Sequence, residues 1–411
     1  MTGPLEQTTS SMAEWTARYE HSVMNTFGTP QLVLASGEGC YVRDTDGTQY
    51  LDLLGGIAVN LLGYAHPAVV QAVSTQIATV GHVSNFFATT PQIQLAQKLL
   101  EVSVPGGAPT GSRVFFTNSG TESNECAIKM VRAHANASGA GRTKIIALDH
   151  CFHGRSTGAL ALTWKQQYRA PFEPLIPGIE FVPANDAQAL EAAMGADVAG
   201  IFIEPIQGEA GVWPIEDSFL HLARDLATRF DALLVFDEVQ SGLGRTGTWM
   251  AHHPSGVVPD VITVAKGLGG GMPIGACIGI GDAGSILHPG QHGTTFGGNP
   301  VCAAAGLAVL NTLDTQGVLS HVRDLGASWA EELAQVSGVA EVRGRGLMLG
   351  VELVEPIAEK LITVARQAGF ILNTTGPSTI RLVPPLIITA AQTHTLTEAL
   401  ADLIVEASQS S

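Results

Sequence analysis

Two short apolar segments in the middle of the chain each end on charged residues, and this arrangement constrains the fold more than any other feature. Leu233–Phe236 leads into Asp237 and Glu238, and Val261–Ala265 leads into Lys266. Glycines follow both segments closely. Such runs are typical of buried parallel strands, whose carboxyl ends form the ligand-binding edge of an open α/β sheet. The sequence therefore predicts an acid and a lysine at the ends of two core strands.

The chemistry of this pair suits one cofactor, pyridoxal phosphate (PLP). Burial at the mouth of an apolar strand lowers the pKa of a lysine and makes its amine a better nucleophile. PLP requires a lysine that bonds to its aldehyde and an aspartate that keeps its pyridine nitrogen protonated, so that the ring can accept electrons. From these two residues alone, a solvated lysine beside an acidic turn remains an open alternative.

Four motifs around the pair resemble those of the subgroup-III aminotransferases, a PLP-dependent family of fold type I. These motifs are Asp237-Glu238-Val239-Gln240, Gly244-Arg245-Thr246-Gly247, Ala265-Lys266-Gly267 and Pro273-Ile274-Gly275. The resemblance extends over nearly the whole chain. It implies that Lys266 forms the covalent bond to PLP and that Asp237 pairs with the pyridinium. It also implies that Gln240 lies near the ring hydroxyl.

The segment from Asn118 to Glu122 follows a predicted strand and opens a predicted helix. Ser119 and Glu122 have the spacing of a capping box, which requires no ligand. Free amide groups at a helix N-terminus also bind phosphate, and Gly120 permits a close approach, so both interpretations fit. The resemblance favours the second and implies that Ser119, Gly120 and Thr121 bind the cofactor. Thr121 stands where the family has alanine, and its hydroxyl can add a contact.

Two further residues follow the strand at 144–148. The resemblance implies that Phe152 stacks on the cofactor ring and that the guanidinium of Arg155 binds the substrate carboxylate. Without the resemblance, a core phenylalanine and a surface arginine explain these residues equally well. The same segment contains a competing motif, because Gly154 to Gly158 fits the G-x-S-x-G nucleophile elbow of serine hydrolases. That alternative assigns the nucleophile to Ser156 and leaves Lys266 without a function.

The site that the resemblance implies is completed by four residues from later parts of the chain, namely Glu209, Thr294, Thr295 and Arg381. Glu209 is expected to pair with Arg381 while the amine substrate is bound and to release it for a dicarboxylic oxoacid. Arg381 interrupts an apolar strand, where a buried charge needs a partner. Thr294 is expected beside the substrate, and Thr295 at the cofactor phosphate of the neighbouring subunit. The resemblance therefore implies a homodimer with shared active sites.

The alternation of strand and helix signals indicates a three-layer α/β core, and the resemblance implies a fold-type-I PLP-dependent transferase with a smaller α+β domain. We expect residues 61–300 to form the large PLP-binding domain. Residues 1–60 are expected to contribute to the small domain together with residues 301–411.

Composition limits the partners. A net charge of −16 argues against nucleic acid and against an anionic membrane surface, and no segment is long and apolar enough to span a bilayer. The 5 cysteines are scattered without the spacing of a metal site, which predicts reduced thiols in a cytoplasmic protein and no bound metal. Charged residues make up only 14% of the chain, which favours extensive burial and a homo-oligomer.

The resemblance implies an amino transfer that alternates between an amine donor and 2-oxoglutarate. The segments 56–67, 85–87 and 152–155 favour the branch of the family that acts on the δ-amine of N-acetylornithine in arginine biosynthesis. Related enzymes use succinyldiaminopimelate, ornithine or 4-aminobutyrate, and the sequence leaves these donors open. A catalytically silent protein of the same fold is a further alternative, against which the intact Lys266 and Asp237 argue.

Overall fold

The computed structural model describes residues 10–139 and 141–409. Its strands are β1 (Leu34–Glu38), β2 (Tyr41–Asp44), β3 (Gln49–Asp52), β4 (Arg113–Thr117), β5 (Lys144–Leu148), β6 (Ile179–Val182), β7 (Val198–Ile203), β8 (Ile206–Gln207), β9 (Trp213–Pro214), β10 (Leu233–Asp237), β11 (Val261–Val264), β12 (Gly275–Gly279), β13 (Val339–Arg345), β14 (Met348–Leu353), β15 (Phe370–Ile371), β16 (Asn373–Thr374) and β17 (Thr379–Leu382).

Its α-helices are α1 (Met12–Ser22), α2 (Gly55–Ala58), α3 (Pro67–Thr79), α4 (Thr90–Val102), α5 (Gly120–Ala137), α6 (Thr157–Ala161), α7 (Gln166–Arg169), α8 (Ala187–Ala193), α9 (Asp217–Phe230), α10 (Pro300–Thr315), α11 (Val318–Leu333), α12 (Ala358–Gln367) and α13 (Ala390–Gln409). In the part of the chain that the structure describes, no helix has the length and apolar character that crossing a membrane requires.

The largest sheet has seven strands in the order β4-β12-β11-β10-β7-β5-β6, and β12 alone runs antiparallel to its neighbours. The two apolar runs predicted as strands form β10 and β11, which pair in parallel with Asp237 opposite Thr263. Lys266 follows three residues after Thr263, and Asp237 ends its own strand. Parallel pairing therefore brings both residues to the same edge of the sheet.

Alternate residues of the central strands pack on opposite faces of this sheet, as the period of a strand requires. Phe202 and Val235 lie in one apolar cluster with residues of α5. Their neighbours Ile201 and Leu234 lie in another cluster with residues of α9. All four side chains are wholly buried, and each contributes roughly 1.5–3 kcal/mol to folding by leaving water. Helices thus cover both faces of the sheet, which is the predicted three-layer core.

Residues near both ends of the described chain build two smaller sheets. The N-terminal strands form a sheet in the order β1-β2-β3-β15, in which the C-terminal β15 pairs in parallel with β3. A second sheet has the order β13-β14-β17-β16. The C-terminal β15 thus completes the sheet of the N-terminal strands, and the division of the chain into a large and a small domain stays a prediction.

The segment 370–374 contributes to two sheets. Its strands β15 and β16 belong to different sheets and are separated by a break at Leu372. Phe370 pairs with Leu51 of β3, whereas Asn373 pairs with Arg381 of β17. The chain changes sheets here because the strand edges that pair with β15 and β16 belong to β3 and β17, which lie in different sheets. The hydrophobic pattern of the segment alone does not identify these partner strands.

Candidate active site

A cavity of about 250 Å³ lies at the carboxyl-end edge of the large sheet. Predicted site residues from four separate segments line it, namely Ser119, Gly120, Thr121, Phe152, Arg155, Asp237, Gln240 and Lys266. A second cavity of about 710 Å³ shares Phe152 with the first and also borders Glu209. Together the two cavities form a cleft that begins at Lys266 and widens toward the C-terminal segment around Thr374.

Lys266 begins a short 3-10 turn directly after β11 and has a backbone φ of +39°. This left-handed conformation costs a residue with a side chain roughly 1–3 kcal/mol, and such strain is concentrated at functional sites. Burial lowers the pKa of the lysine to about 8, although the carboxylate of Glu209 acts in the opposite direction. The neutral, nucleophilic amine is therefore well populated near pH 8.

Asp237 is only 4% exposed and is held by hydrogen bonds to both carboxylate oxygens. Its Oδ2 accepts from Asn124 Nδ2 and from His153 Nδ1, each at 2.7 Å, and its Oδ1 accepts from the amide of Val239 at 3.0 Å. Thr263 Oγ1 donates to Asn124 Oδ1 at 2.9 Å, which fixes the orientation of the amide. These donors hold the carboxylate in a fixed position at the cavity.

The N-terminus of α5 is capped and still offers free donors to the cavity. Ser119 Oγ accepts from the amide of Glu122 at 3.3 Å, and Glu122 Oε2 accepts from the amide of Asn118 at 2.8 Å. The carboxylate of Glu122 thus reaches one residue beyond the expected position in a capping box. Among the described residues, the amides of Gly120 and Thr121 have no hydrogen-bond acceptor. The cap and an anion site are therefore compatible at this helix end.

Gly120 is required at this position by the space available. A Cβ atom there would lie 2.6 Å from Cγ1 of Val239, closer than real Cβ contacts allow. Val239 directly follows the Asp237–Glu238 pair and lines the same cavity. The small residue therefore lets the helix N-terminus approach the strand end that carries Asp237.

Arg381 of β17 is 1% exposed and joins Glu209 and Gln240 in one buried network. Its Nη1 donates to Glu209 Oε1 at 2.5 Å and to Gln240 Oε1 at 3.1 Å, and its Nη2 donates to Asn373 Oδ1 at 2.7 Å. Burial raises the pKa of Glu209, but the charges of Arg381 and Lys266 outweigh it and leave the pKa below its usual value. The glutamate is therefore ionised and paired.

Comparison with known proteins agrees with this geometry. The family model of the class-III aminotransferases matches residues 23–404. The chain belongs to the class-III aminotransferases. It is 50% identical over 397 residues to the acetylornithine aminotransferase of Mycolicibacterium smegmatis, an alignment that covers 96% of this chain and 99% of the relative.

Solved structures of other aminotransferases share the fold. N-acetylornithine aminotransferase from Stenotrophomonas maltophilia is 35% identical, with a TM-score of 0.81 and coverage of 95% of this chain and 98% of that one. An amine transaminase from an uncultivated Pseudomonas species, solved with PLP bound, is 28% identical, with a TM-score of 0.86 and coverage of 92% and 96%. The predicted family, the fold-type-I architecture and the dependence of the family on PLP are thereby confirmed.

The residues of this class-III aminotransferase fit PLP. A buried carboxylate faces the cavity, a lysine with a lowered pKa opens onto it, and unpaired amides at the N-terminus of α5 are suited to a phosphate. Asn124 and His153, which sequence reasoning did not assign, are the residues that hold Asp237. Asn124 follows Gly120 by about one helical turn, and this spacing is the only sequence signal that could have identified it.

Three further predicted site residues of this enzyme have contacts outside the inner cavity or lie away from it. Gln240 lines the cavity, but its amide bonds to Glu209 and Arg381. Thr294 and Thr295 do not line the cavity of their own chain. Thr294 Oγ1 accepts from Asn118 Nδ2 at 3.4 Å, whereas Thr295 is exposed. The placement of Thr295 at a neighbouring subunit stays a prediction.

The serine hydrolase alternative was wrong, because the chain is an aminotransferase and the environment of Ser156 does not suit a nucleophile. Thr121 Oγ1 lies 2.7 Å from Ser156 Oγ and accepts the amide of Ser156 at 3.1 Å. A serine hydrolase would also need a histidine as base, and His292, which lies later in the chain, is stacked on Phe115. Thr121, which stands where the family has alanine, therefore links the loop after β5 to the N-terminus of α5 by hydrogen bonds.

Glu204 is a further acidic group that lines the cavity. Burial and the nearby charge of Asp237 raise the pKa of this carboxyl group well above the usual range. Its Oε2 accepts from the amide of Phe152 at 3.2 Å. The group therefore fixes the backbone that carries Phe152.

Proposed function

We propose that this class-III aminotransferase transfers the δ-amino group of N-acetylornithine to 2-oxoglutarate, as a step of arginine biosynthesis. The observation that carries the proposal is the close similarity, over nearly the full length of both chains, to a relative named acetylornithine aminotransferase. The cavity residues described above support it, because they combine a lysine, a ring-nitrogen carboxylate and two arginines for carboxylates.

The shape of the cleft suits an extended amine with a carboxylate at its far end. Lys266 lies at the closed inner end, and Arg155 stands at the wall with an exposed side chain. A cavity of about 710 Å³ continues outward beyond Phe152. We assign the substrate carboxylate to Arg155, whose guanidinium can form two parallel hydrogen bonds to it.

The chemistry requires one proton acceptor close to the reacting carbon. When bound, PLP supplies an electron sink for the substrate carbon. Lys266 Nζ is the base that takes a proton from that carbon and later returns it, since burial leaves its amine largely neutral near pH 8. Asp237, held by His153 and Asn124, keeps its negative charge at the ring nitrogen. The buried walls exclude bulk water from these groups.

The pair of Glu209 and Arg381 suits the second substrate. The amine donor brings no carboxylate to this part of the site, so Arg381 keeps its bond to Glu209. A dicarboxylate such as 2-oxoglutarate presents one carboxylate to Arg155 and a second to Arg381, and Glu209 must then give up its partner. One site can thus accept two substrates of different charge.

We also propose that the active unit is a homodimer with shared active sites. Three aromatic side chains near the 294–299 loop are exposed in the single chain, Phe86 at 93%, Phe87 at 70% and Phe296 at 58%. Asn85 Nδ2 donates to the carbonyl of Thr294 at 2.9 Å, which joins the segment of Phe86 and Phe87 to that loop. Large exposed apolar surfaces of this kind are typical of subunit interfaces. We expect Thr295 to reach the partner's cofactor phosphate there.

We propose the cytoplasm as the location and small molecules as the other partners, with no nucleic acid and no membrane. All five cysteines of the chain are free and buried, which is usual for reducing compartments. The acidic net charge of −16 repels nucleic acid and anionic lipids.

The substrate proposal is tested by mixing the purified holoenzyme with each candidate amine and following the absorbance of its cofactor. We expect N-acetylornithine to convert the cofactor fastest, followed by amino transfer to 2-oxoglutarate. Faster conversion by 4-aminobutyrate, ornithine or succinyldiaminopimelate would reject the donor while leaving the class of reaction intact. Sedimentation velocity of the same sample tests the dimer, and a monomer with full activity would reject shared sites.

A further inference from the structure

Arg155 and Lys165 are two cations of the cleft that lie over the same aromatic ring. The guanidinium carbon of Arg155 is 3.6 Å from the ring centroid of Tyr168, and Lys165 Nζ is 5.0 Å from the same centroid. Tyr168 is half-buried, whereas both cationic side chains are exposed. Within the residues that the structure describes, neither cation lies in an ion pair with a carboxylate. Their charges are therefore available to a ligand.

These residues stand where the inner cavity meets the wider one. Arg155 lines the inner cavity, Lys165 and Tyr168 line the outer one, and Phe152 belongs to both. The ring of Phe152 is 5.6 Å from the guanidinium carbon of Arg155 and supports it from a second direction. Two cations without ion pairs therefore stand together at this junction, while Glu209 of the outer cavity is already paired with Arg381.

We propose that Tyr168 is a positioning residue for Arg155 and that Lys165 is a second cation of the same site, so that the three residues together recognise a substrate carboxylate. The proposal rests on the proposed function, which assigns Arg155 to that carboxylate, and extends it to two residues with no assigned function. Its ligand class is a carboxylate that projects from the cavity toward the mouth of the cleft.

Stacking explains why a ring is suited to this position. A free arginine side chain samples many rotamers and loses that freedom on binding, which weakens affinity. A guanidinium held flat on an aromatic face has already lost part of that freedom, while its N–H groups at the edge remain available to a carboxylate. The amine donor and 2-oxoglutarate both present a carboxylate here, so the ring serves both halves of the reaction.

The test compares Tyr168→Leu, which removes the ring, with Tyr168→Phe, which keeps it, both as holoenzymes. We expect Tyr168→Leu to raise KM for both substrates by about 3- to 30-fold, while kcat changes by less than about twofold, as for a residue that acts in ground-state binding. Calorimetric titration with glutarate, a dicarboxylate that cannot react, should show the same loss of affinity. Tyr168→Phe should restore both values.

Lys165 is exposed, so its variants test the site without a risk to folding. We expect Lys165→Gln to weaken glutarate binding by about 2- to 5-fold at low salt, with a smaller effect at high salt, and Lys165→Arg to restore it. Arg229→Gln is the matched control, since Arg229 is an exposed cation against Phe230 that lies outside the cleft. It should leave binding unchanged.

Several results would overturn the inference. The first is an unchanged affinity for glutarate in both Tyr168→Leu and Lys165→Gln. The second is a Tyr168→Phe variant that is as impaired as Tyr168→Leu, because the effect would then come from the hydroxyl and not from the ring. The third is a fall in kcat at constant KM in Tyr168→Leu, which would mean that Tyr168 acts in the chemical steps and not in positioning Arg155. Absence of amino transfer by the wild-type holoenzyme with every candidate donor would reject the proposed function independently of these binding data.

Discussion

His153 Nδ1 lies 2.7 Å from Asp237 Oδ2, and the side chains of both residues are almost completely buried. Because a carboxylate oxygen can only accept, the ring nitrogen that faces it carries the proton. The other ring nitrogen, Nε2, is buried without a partner. Among the described residues the imidazole of His153 thus makes one hydrogen bond, and that bond holds Asp237 in a fixed orientation at the cavity.

Replacing His153 should therefore weaken catalysis through Asp237. We expect His153→Leu to lower the free energy of unfolding by about 1–3 kcal/mol, since Asp237 loses a donor in a buried position, and to reduce the rate of amino transfer by roughly tenfold. Chemical denaturation of the apoprotein and single-turnover rates measure the two effects. Asp237→Asn should be more damaging to the rate, and His221→Leu, at an exposed histidine, should change neither quantity.

Lys266→Ala should lose amino transfer by at least about 10²–10⁴-fold, because it removes the base that moves the proton. The same variant should fail to retain PLP after reduction with borohydride, whereas the wild-type protein should carry the cofactor covalently on the peptide that contains residue 266. Peptide mass spectrometry measures this directly. Cofactor trapped on a different lysine of the wild-type protein, such as Lys165, would contradict the assignment.

The rate at which the apoprotein binds PLP should depend on pH through Lys266. Burial lowers the pKa of this lysine to about 8, and only the neutral amine reacts, so the rate should rise as the pH rises through about 8 and then level off. Glu209 opposes the effect of burial, so Glu209→Gln should move the midpoint to lower pH. Stopped-flow absorbance measures both profiles, and a midpoint near the usual value for lysine would be inconsistent with the buried site.

Gly120→Ala should weaken the affinity for PLP. The added Cβ would lie 2.6 Å from Cγ1 of Val239, so the N-terminus of α5 must move away from the strand that carries Asp237. We expect an increase in the Kd for PLP of about tenfold or more. The double variant Gly120→Ala, Val239→Ala provides the control, since it removes the clash and should recover much of the affinity. Equal losses in both variants would exclude the steric explanation.

The residues that could be predicted from sequence are those that end strongly patterned strands. Lys266 and Asp237 follow continuous apolar runs, and parallel strands place their carboxyl ends together. Asn124 and His153 were not assigned because their function depends on which side chains meet across the fold. Asn124 lies on α5 and His153 on a loop, and only the packing of α5 on the sheet brings both to Asp237.

Two further features also depend on contacts between distant parts of the chain. Gln240 follows Asp237 closely in sequence, yet its amide turns toward Arg381 because a buried guanidinium needs several acceptors. The break between β15 and β16 depends on edges supplied by strands far away in the chain. Neither the identity of a pairing edge nor the direction of a polar side chain is contained in local hydrophobic periodicity.

The parallel pairing of β15 with β3 also has a consequence for synthesis. The hairpin of β2 and β3 leaves the ribosome early, but its outer edge has no partner until β15, close to the C-terminus, has been made. Contacts between such distant segments form slowly, and an open strand edge attracts other chains in the meantime. Nascent chains of this enzyme are therefore most exposed to aggregation at the N-terminal hairpin, and removal of the last elements would leave that edge permanently open.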